Sequence, residues 1–338
     1  MIELLPNINV DWIGRRKLFF VISIVLLVAG MLSILSKGSL RYGVDFKGGT
    51  LVSVRFQEKL PIDRVRDVLR GAGFENAAVQ EMRSTSGQGQ DFLIQLEQDA
   101  VSETDLASGR ERITSALNQG FNGKFEILNS DSVGPKAGAD LRRQAVLATV
   151  YALGGILVYM AFRFEWIYGA AAVFAVFHDV LVTLGLFSIS NRAIDLTVVA
   201  ALLTLVGYQV NDTIVVFDRV RENLRIGRRE PLEKSLNDGI NQTMGRTVIT
   251  AGLTTLAVLA LFLFGGDVLE NFAFALLCGQ VIGTYSSIAI AAPVVLIYSN
   301  LRAGSVGMKM AASKTQPKVQ PKVQPKVQAK APKPAKAK

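Results

Sequence analysis

The 338-residue sequence has a single cysteine, Cys278, and a single histidine, His178. One thiol excludes a disulfide framework within the chain, and one thiol with one imidazole cannot supply a zinc site made only of Cys and His. Charge is also scarce. Only 19% of residues are Asp, Glu, Lys or Arg, below the roughly 25% of soluble globular chains, which argues against an ordinary cytosolic domain. The formal charge of +9 does not belong to the body of the protein: nine lysines and no acid follow residue 302, leaving 28 basic groups to balance 28 acidic ones before it.

Apolar sequence is what the chain has in excess. Six runs, 18–36, 144–162, 166–189, 196–217, 247–266 and 272–298, approach the ~20 residues a helix needs to cross hydrocarbon. With their flanks they set spans at 18–36, 141–163, 164–189, 194–217, 247–266 and 270–300. The first follows Arg15, Arg16 and Lys17, but it exceeds a signal-peptide core and no small-x-small cleavage site follows, so it is read as a retained anchor. Lys and Arg favour the cytoplasmic side. That rule places residues 1–17, Arg163, the stretch 218–246 with seven basic residues, and the lysine-rich tail inside. Both termini are then cytoplasmic, with Arg142 and Arg143 running against the rule.

Residues 37–140, between the first two spans, are polar and long enough for a small domain. Segments 50–57, 77–83, 91–97 and 124–129 read as strands and 61–72 and 103–119 as helices. The order βαββαβ is the ferredoxin-like split arrangement. No nucleophile with a base, metal-ligand spacing or phosphate loop is seen there, so a binding or docking role is expected rather than an enzyme. The tail, 301–338, carries Pro-Lys-Val-Gln three times over 317–328. Its composition predicts disorder, with attraction to anionic lipid or ribosomal RNA as its sharper role, at about 1 kcal/mol per lysine near a charged membrane.

A charged residue mid-span costs roughly 2.5–3.5 kcal/mol even on insertion scales, so each needs a reason. Asp212 lies about 24 Å along the fourth span at 1.5 Å per residue, nearer its cytoplasmic end; Arg246 opens the fifth from that same end, so the two can meet. Thr204, Tyr208 and Asp212, then Arg246, Thr250 and Thr254, then Gln280, Thr284 and Ser287 recur at helical spacing on three spans. For the Ser and Thr positions, helix packing is the preferred reading, with Gly207, Gly252 and Gly283 allowing close approach. For Asp212 and Arg246 a functional role is preferred to a static ion pair. His178 and Asp179 sit mid-way along the third span. Adjacent helical positions project about 100° apart, so the two are not expected to serve one narrow path, and Asp179 is the better candidate.

The residues Gly43-Val-Asp45-Phe-Lys-Gly48-Gly49-Thr50, Val133-Gly-Pro135, Arg163-Phe-Glu165-Trp166, Phe177-His178-Asp179-Val180 and the run from Val210-Asn211-Asp212-Thr213 to Asn223 resemble the SecF branch of the SecD/SecF family. The likeness runs from Trp12 to about Leu301, excluding the tail, and Gln209 departs from the small residue usual there. What the resemblance implies is an integral membrane protein of six spans, half of a resistance-nodulation-division (RND) type unit, with a small α+β ferredoxin-like outer domain. It implies pairing with SecD, action with the SecYEG channel on SecA-driven preproteins, contact with YidC, residence in the bacterial inner membrane, and no cofactor beyond a coupling ion, H⁺ or Na⁺. In the family an aspartate of the Asn-Asp-Thr motif and an arginine near the start of the fifth span couple to that ion. Here they are Asp212 and Arg246, with Asn211, Thr213, Asp179 and His178 as supporting candidates. Asp45, Gly48 and Gly49 are candidate hinge residues where the first span meets the outer domain, simple turn chemistry being an equal account. A small-molecule exporter half of the same superfamily and a purely structural subunit are the competing readings.

Overall fold

A computed structural model describes residues 9–75, 77–82, 89–97, 106–226 and 230–302; the tail read as a lysine tether lies outside them, apart from Leu301 and Arg302. Along the chain run α1 (Arg16–Ser36), α2 (Val44–Lys47), β1 (Gly49–Phe56), α3 (Ile62–Gly71), β2 (Ala78–Met82), β3 (Gln90–Glu97) and α4 (Leu106–Phe121). There follow β4 (Phe125–Val133), α5 (Pro135–Arg163), α6 (Trp166–Ile189), α7 (Leu196–Ile226), α8 (Leu232–Phe264) and α9 (Asp267–Ser286). The α9 helix passes through a π-helical turn, Ser287–Ala291, and continues to Arg302. Among the described residues six helices, α1 and α5 to α9, are long and apolar enough to cross a membrane.

The outer domain owes its shape to alternation on β1. Val52, Val54 and Phe56 point inward with Phe92 and Ile94 of β3, and Val65 and Leu69 of α3 with Ile113, Ala116 and Leu117 of α4 cover them. Each such buried side chain is worth about 1.5–3 kcal/mol. The sheet order is β2-β3-β1-β4 with every neighbouring pair antiparallel. The β1-α3-β2 crossover leaves a slot that β3 fills, which is the ferredoxin-like arrangement expected from the element order. Arg55 and the buried Asp91, opposite each other on β1 and β3, form a bidentate pair at 2.8 Å. The carboxylate's hydrogen bonds raise the Arg55 pKa above its usual value.

Within the bundle α6 and α9 are central, α7 lies beside them, and α1, α5 and α8 leave most of their surface exposed on this chain. Several helices overrun their apolar runs. Pro135 starts α5 at its first position, where a missing N–H costs nothing, so Arg142 and Arg143 stand on a helix that emerges from the membrane. The stretch 218–246, expected as a cytoplasmic loop leading into the fifth span, is mostly helix among the described residues: α7 reaches Ile226 and α8 begins at Leu232. The cause is continued helical spacing. Val216 and Val220 on α7 meet Leu236, Ile240 and Met244 on α8 in one apolar cluster with Ile13. Residues 10–13 are pinned to it, since the backbone N–H of Trp12 donates to Asn237 Oδ1 at 2.8 Å and its indole to Asn241 Oδ1 at 2.9 Å.

The contact of α1 with α6 turns on two glycines. A Cβ on Gly185 would lie 2.8 Å from the Gly30 Cα, so the helices touch backbone to backbone, as small residues permit between membrane helices. Replacing Gly185 by leucine must push α1 away; a loss of about 1–3 kcal/mol is expected from overpacking, read as a lower thermal inactivation temperature in detergent. Gly154→Ala, with nothing within 4 Å of its Cβ, should leave that temperature unchanged or raise it.

Candidate functional site

The central helices α7 and α9 run in the same direction and are locked in register by side chains. Leu205 packs on Gly279 and Gln209 on Gly283, where an added Cβ would fall 2.1 Å from the Leu205 Cδ1 and 2.2 Å from the Gln209 Nε2. The Gln209 amide also donates to the Gly279 carbonyl at 2.9 Å. Gln209 is thus bulk accommodated by glycine across the seam, which accounts for its departure from a small residue. Gly207 and Gly252, expected to allow close packing, have nothing within 4 Å of where a Cβ would stand, whereas Gly283 does.

That register puts Asp212 level with Ser286, each three residues beyond a matched pair. Asp212 is buried, 7% exposed, and receives no hydrogen bond among the described residues. The basic charge acting on it is that of Arg246, without a direct ion pair. Arg246 is the fifteenth of the 33 residues of α8, directly before that helix's apolar run at 247–266. Both Arg246 and Asn211 are exposed on this chain, while Thr213 is buried with its hydroxyl bonded to the Gln209 carbonyl at 3.0 Å. The threonine stripes behave as packing devices. Thr204, Thr250, Thr254 and Thr284 each donate to the carbonyl four residues back in their own helix, and Tyr208 bonds Thr254 across α7 and α8 at 3.1 Å.

Across the same seam lies a second carboxylate. His178 Nδ1 is 2.9 Å from Asp179 Oδ1, and the Ser286 hydroxyl donates to Asp179 Oδ2 at 2.6 Å. Although adjacent helical positions project about 100° apart, the His178 and Asp179 side chains meet, and Asp179 also holds a hydroxyl of the facing helix. Ser286 was not singled out by spacing, since it lies off the face marked by Gln280, Thr284 and Ser287.

The third feature joins the bundle to the outer domain. Asp45 Oδ2 accepts the backbone N–H of Leu196 at 2.8 Å, capping the first turn of α7 from a distant part of the chain. The Gly43 N–H reaches the Ile194 carbonyl and the Ile194 N–H the Arg41 carbonyl, each at 2.8 Å. Gly48 has φ +81° and Gly49 φ +137°, and a Cβ on Gly48 would lie 2.7 Å from the Pro135 Cα. Asp45, Gly48 and Gly49 therefore form a tight joint between the ends of α1, α5 and α7. Beside it, and not anticipated from spacing, Asp195 accepts the Val198 N–H and the Asn271 amide, while Arg192 pairs with Glu270 at 2.8 Å.

The family described as protein export membrane protein SecD/SecF, C-terminal, matches residues 113–301, and the SecD/SecF GG motif matches residues 40–59. The protein translocase subunit SecF of Pseudomonas aeruginosa is 40% identical over 87% of this chain and 92% of its own. The chain belongs to the SecF family of protein translocase subunits. The SecF of Koribacter versatilis is 38% identical over 89% of this chain and 94% of its own. A crystal structure of SecDF, a translocon-associated membrane protein from Thermus thermophilus, superposes with a TM-score of 0.76 at 35% identity. This chain covers 39% of that longer SecDF chain and 87% of itself is covered. The SecF-family chain is accordingly a protein-export membrane subunit, and its glycine pair at the joint lies within the stretch matched by the GG motif.

Two glycines separate strain from crowding at that joint. Gly38→Ala meets only the penalty of a left-handed backbone, φ +76° with open space around it, about 1 kcal/mol. Gly48→Ala adds a clash with Pro135 and should lower the thermal inactivation temperature by clearly more; equal effects would show that the contact is slack.

Proposed function

We propose that this chain is the six-span half of an ion-driven export device, paired in the bacterial inner membrane with SecD and acting beside the SecYEG channel on preproteins delivered by SecA, with YidC as a neighbour. The observation that carries the reading is the placement of Asp212 and Arg246. A guanidinium at the point where α8 enters its apolar run, exposed on the lone chain as Asn211 also is, is costly against lipid and calls for a protein surface of matching polarity. A second six-helix half supplies one. The lysine-rich tail and the basic residues around α7 and α8 favour cytoplasmic termini.

The mechanism follows from the charges. An ionised Asp212 attracts Arg246; a proton on Asp212 cancels that attraction and frees α8 to shift against α7. Each elementary charge crossing the full field releases about 2.3 kcal/mol per 100 mV, comparable to the difference between two packings of a helix pair. The joint at Asp45, Gly48 and Gly49 then carries a movement of α7 or α5 into the outer domain, which grips or releases an emerging chain. Sodium in place of the proton would use the same carboxylate.

Asp212→Asn keeps size and polarity but removes titration. In inverted membrane vesicles containing the SecD partner, gradient-dependent preprotein export should fall to the level seen when the gradient is collapsed, while the ATP-driven part persists. Export at the normal rate would refute the coupling role. Collapsing the proton and sodium gradients separately identifies the ion.

A further inference from the structure

The coupling role proposed for Asp212 leaves His178, Asp179 and Ser286 without a task. All three are buried, at 5%, 2% and 1% exposure, on α6 and at the end of α9, directly before the π-helical turn. Turns of that kind are rare and concentrate at functional sites. The hydrogen bonds fix the chemistry. With Asp179 ionised, both its oxygens accept, from Ser286 and from His178 Nδ1, which puts the imidazole proton on Nδ1 and leaves the lone pair on Nε2. Nε2 is buried and has no partner among the described residues. In this state the cluster bears one uncompensated negative charge in a buried site; one proton added at Nε2 turns it into an imidazolium–carboxylate pair with no net charge, the form that a low-dielectric interior tolerates better.

The surrounding elements supply no alternative counter-charge. Among the described residues the polar groups acting on Asp179 are His178 and Ser286. Helix α1, packed on α6, has ionisable groups only at its ends, Arg16 and Lys17. Helix α5 has no Asp, Glu, Lys, Arg or His between Arg143 and Arg163, only Tyr151 and Tyr159. From α9 come Cys278 and Tyr285, the latter occupied with the Phe19 carbonyl and Ser23. From α7 comes Asp212, on the far side of the seam that Gln209, Thr213 and Ser287 line.

We propose that His178, Asp179 and Ser286 are a second proton-holding site of the bundle, at which an incoming proton binds Nε2 of His178 and leaves from the same atom. The site shares with the preceding reading only the premise that protons reach this bundle, and it is tested without measuring export.

His178 is the only histidine in the chain, so ¹⁵N-histidine labelling of the full-length protein in lipid vesicles gives the signals of one imidazole. At alkaline pH the expected spectrum has one N–H nitrogen and one lone-pair nitrogen; on acidification the lone-pair nitrogen should become N–H in a one-proton step. Asp179→Asn, which removes the carboxylate, should move the midpoint by about tenfold in proton concentration or more. Should that variant fail to fold, Ser286→Ala removes one hydrogen bond and no charge and should move it by less. An imidazole that keeps one protonation state wherever the fold survives, or a midpoint indifferent to both substitutions, overturns the proposal. If Asp212→Asn abolishes gradient-driven export while the imidazole is silent, only this site fails; if that variant exports normally while the imidazole titrates, only the coupling role of Asp212 fails.

Discussion

Hydrocarbon offers no hydrogen-bond partner and no counter-ion, and the rest of this structure depends on that constraint. A polar side chain in the six spans bonds its own helix, bonds a neighbour, or stands out as unresolved. The threonines take the first route, each returning its hydroxyl to the carbonyl one turn back. Tyr208 with Thr254 and Gln209 with the Gly279 carbonyl take the second. Asp212, Arg246 and the lone-pair nitrogen of His178 stand out. A charged side chain left so in hydrocarbon costs roughly 2.5–3.5 kcal/mol on insertion scales, which is what sets Asp212 and Arg246 apart from the threonines.

Much of the fold was legible because its signals are repetitive. Apolar runs of crossing length gave the six spans, and alternation at Val52, Val54 and Phe56 gave β1 and hence the ferredoxin-like order. Helix ends were not legible, because Val220, Leu224 and Leu236 are diluted by charge and hydropathy alone cannot separate a solvated helix from a loop; periodicity at i and i+4 was the signal that reaches them. Among site residues, Asp212 and Asp179 could be found one at a time by their cost. Ser286 could not, since its role comes from α6, more than a hundred residues away in sequence, and no local pattern on α9 marks it.

Gln209 illustrates how a departure from a family pattern is resolved in space. A small residue at that position would leave the seam opposite Gly283 empty, whereas the glutamine fills it and spends its amide on a carbonyl of the facing helix. Bulk on α7 and its absence on α9 are one feature, and either alone would be destabilising: glutamine against a larger residue by overpacking, glycine against a smaller one by a cavity. The pair also fixes the level at which Asp212 and Ser286 face the same seam, so the register of two helices determines which charges can communicate.

The connection of the bundle to the outer domain follows from how few groups make it. The β1 strand begins immediately after Gly48, at Gly49, β4 ends at Val133 two residues before α5, and Asp45 holds the first turn of α7. Helix α5 follows the sheet within two residues and α7 is held by Asp45 just before β1, so neither is joined to the domain by a long linker in which a displacement can be absorbed. A shift of α7 along its axis must either break the Asp45 cap, which costs on the order of 1 kcal/mol, or move α2 and the start of β1 with it. Since β1 lies at the centre of the sheet between β3 and β4, the cheaper response is to carry the whole domain. The close approach of the Gly48 backbone to Pro135 is what leaves this joint so little slack.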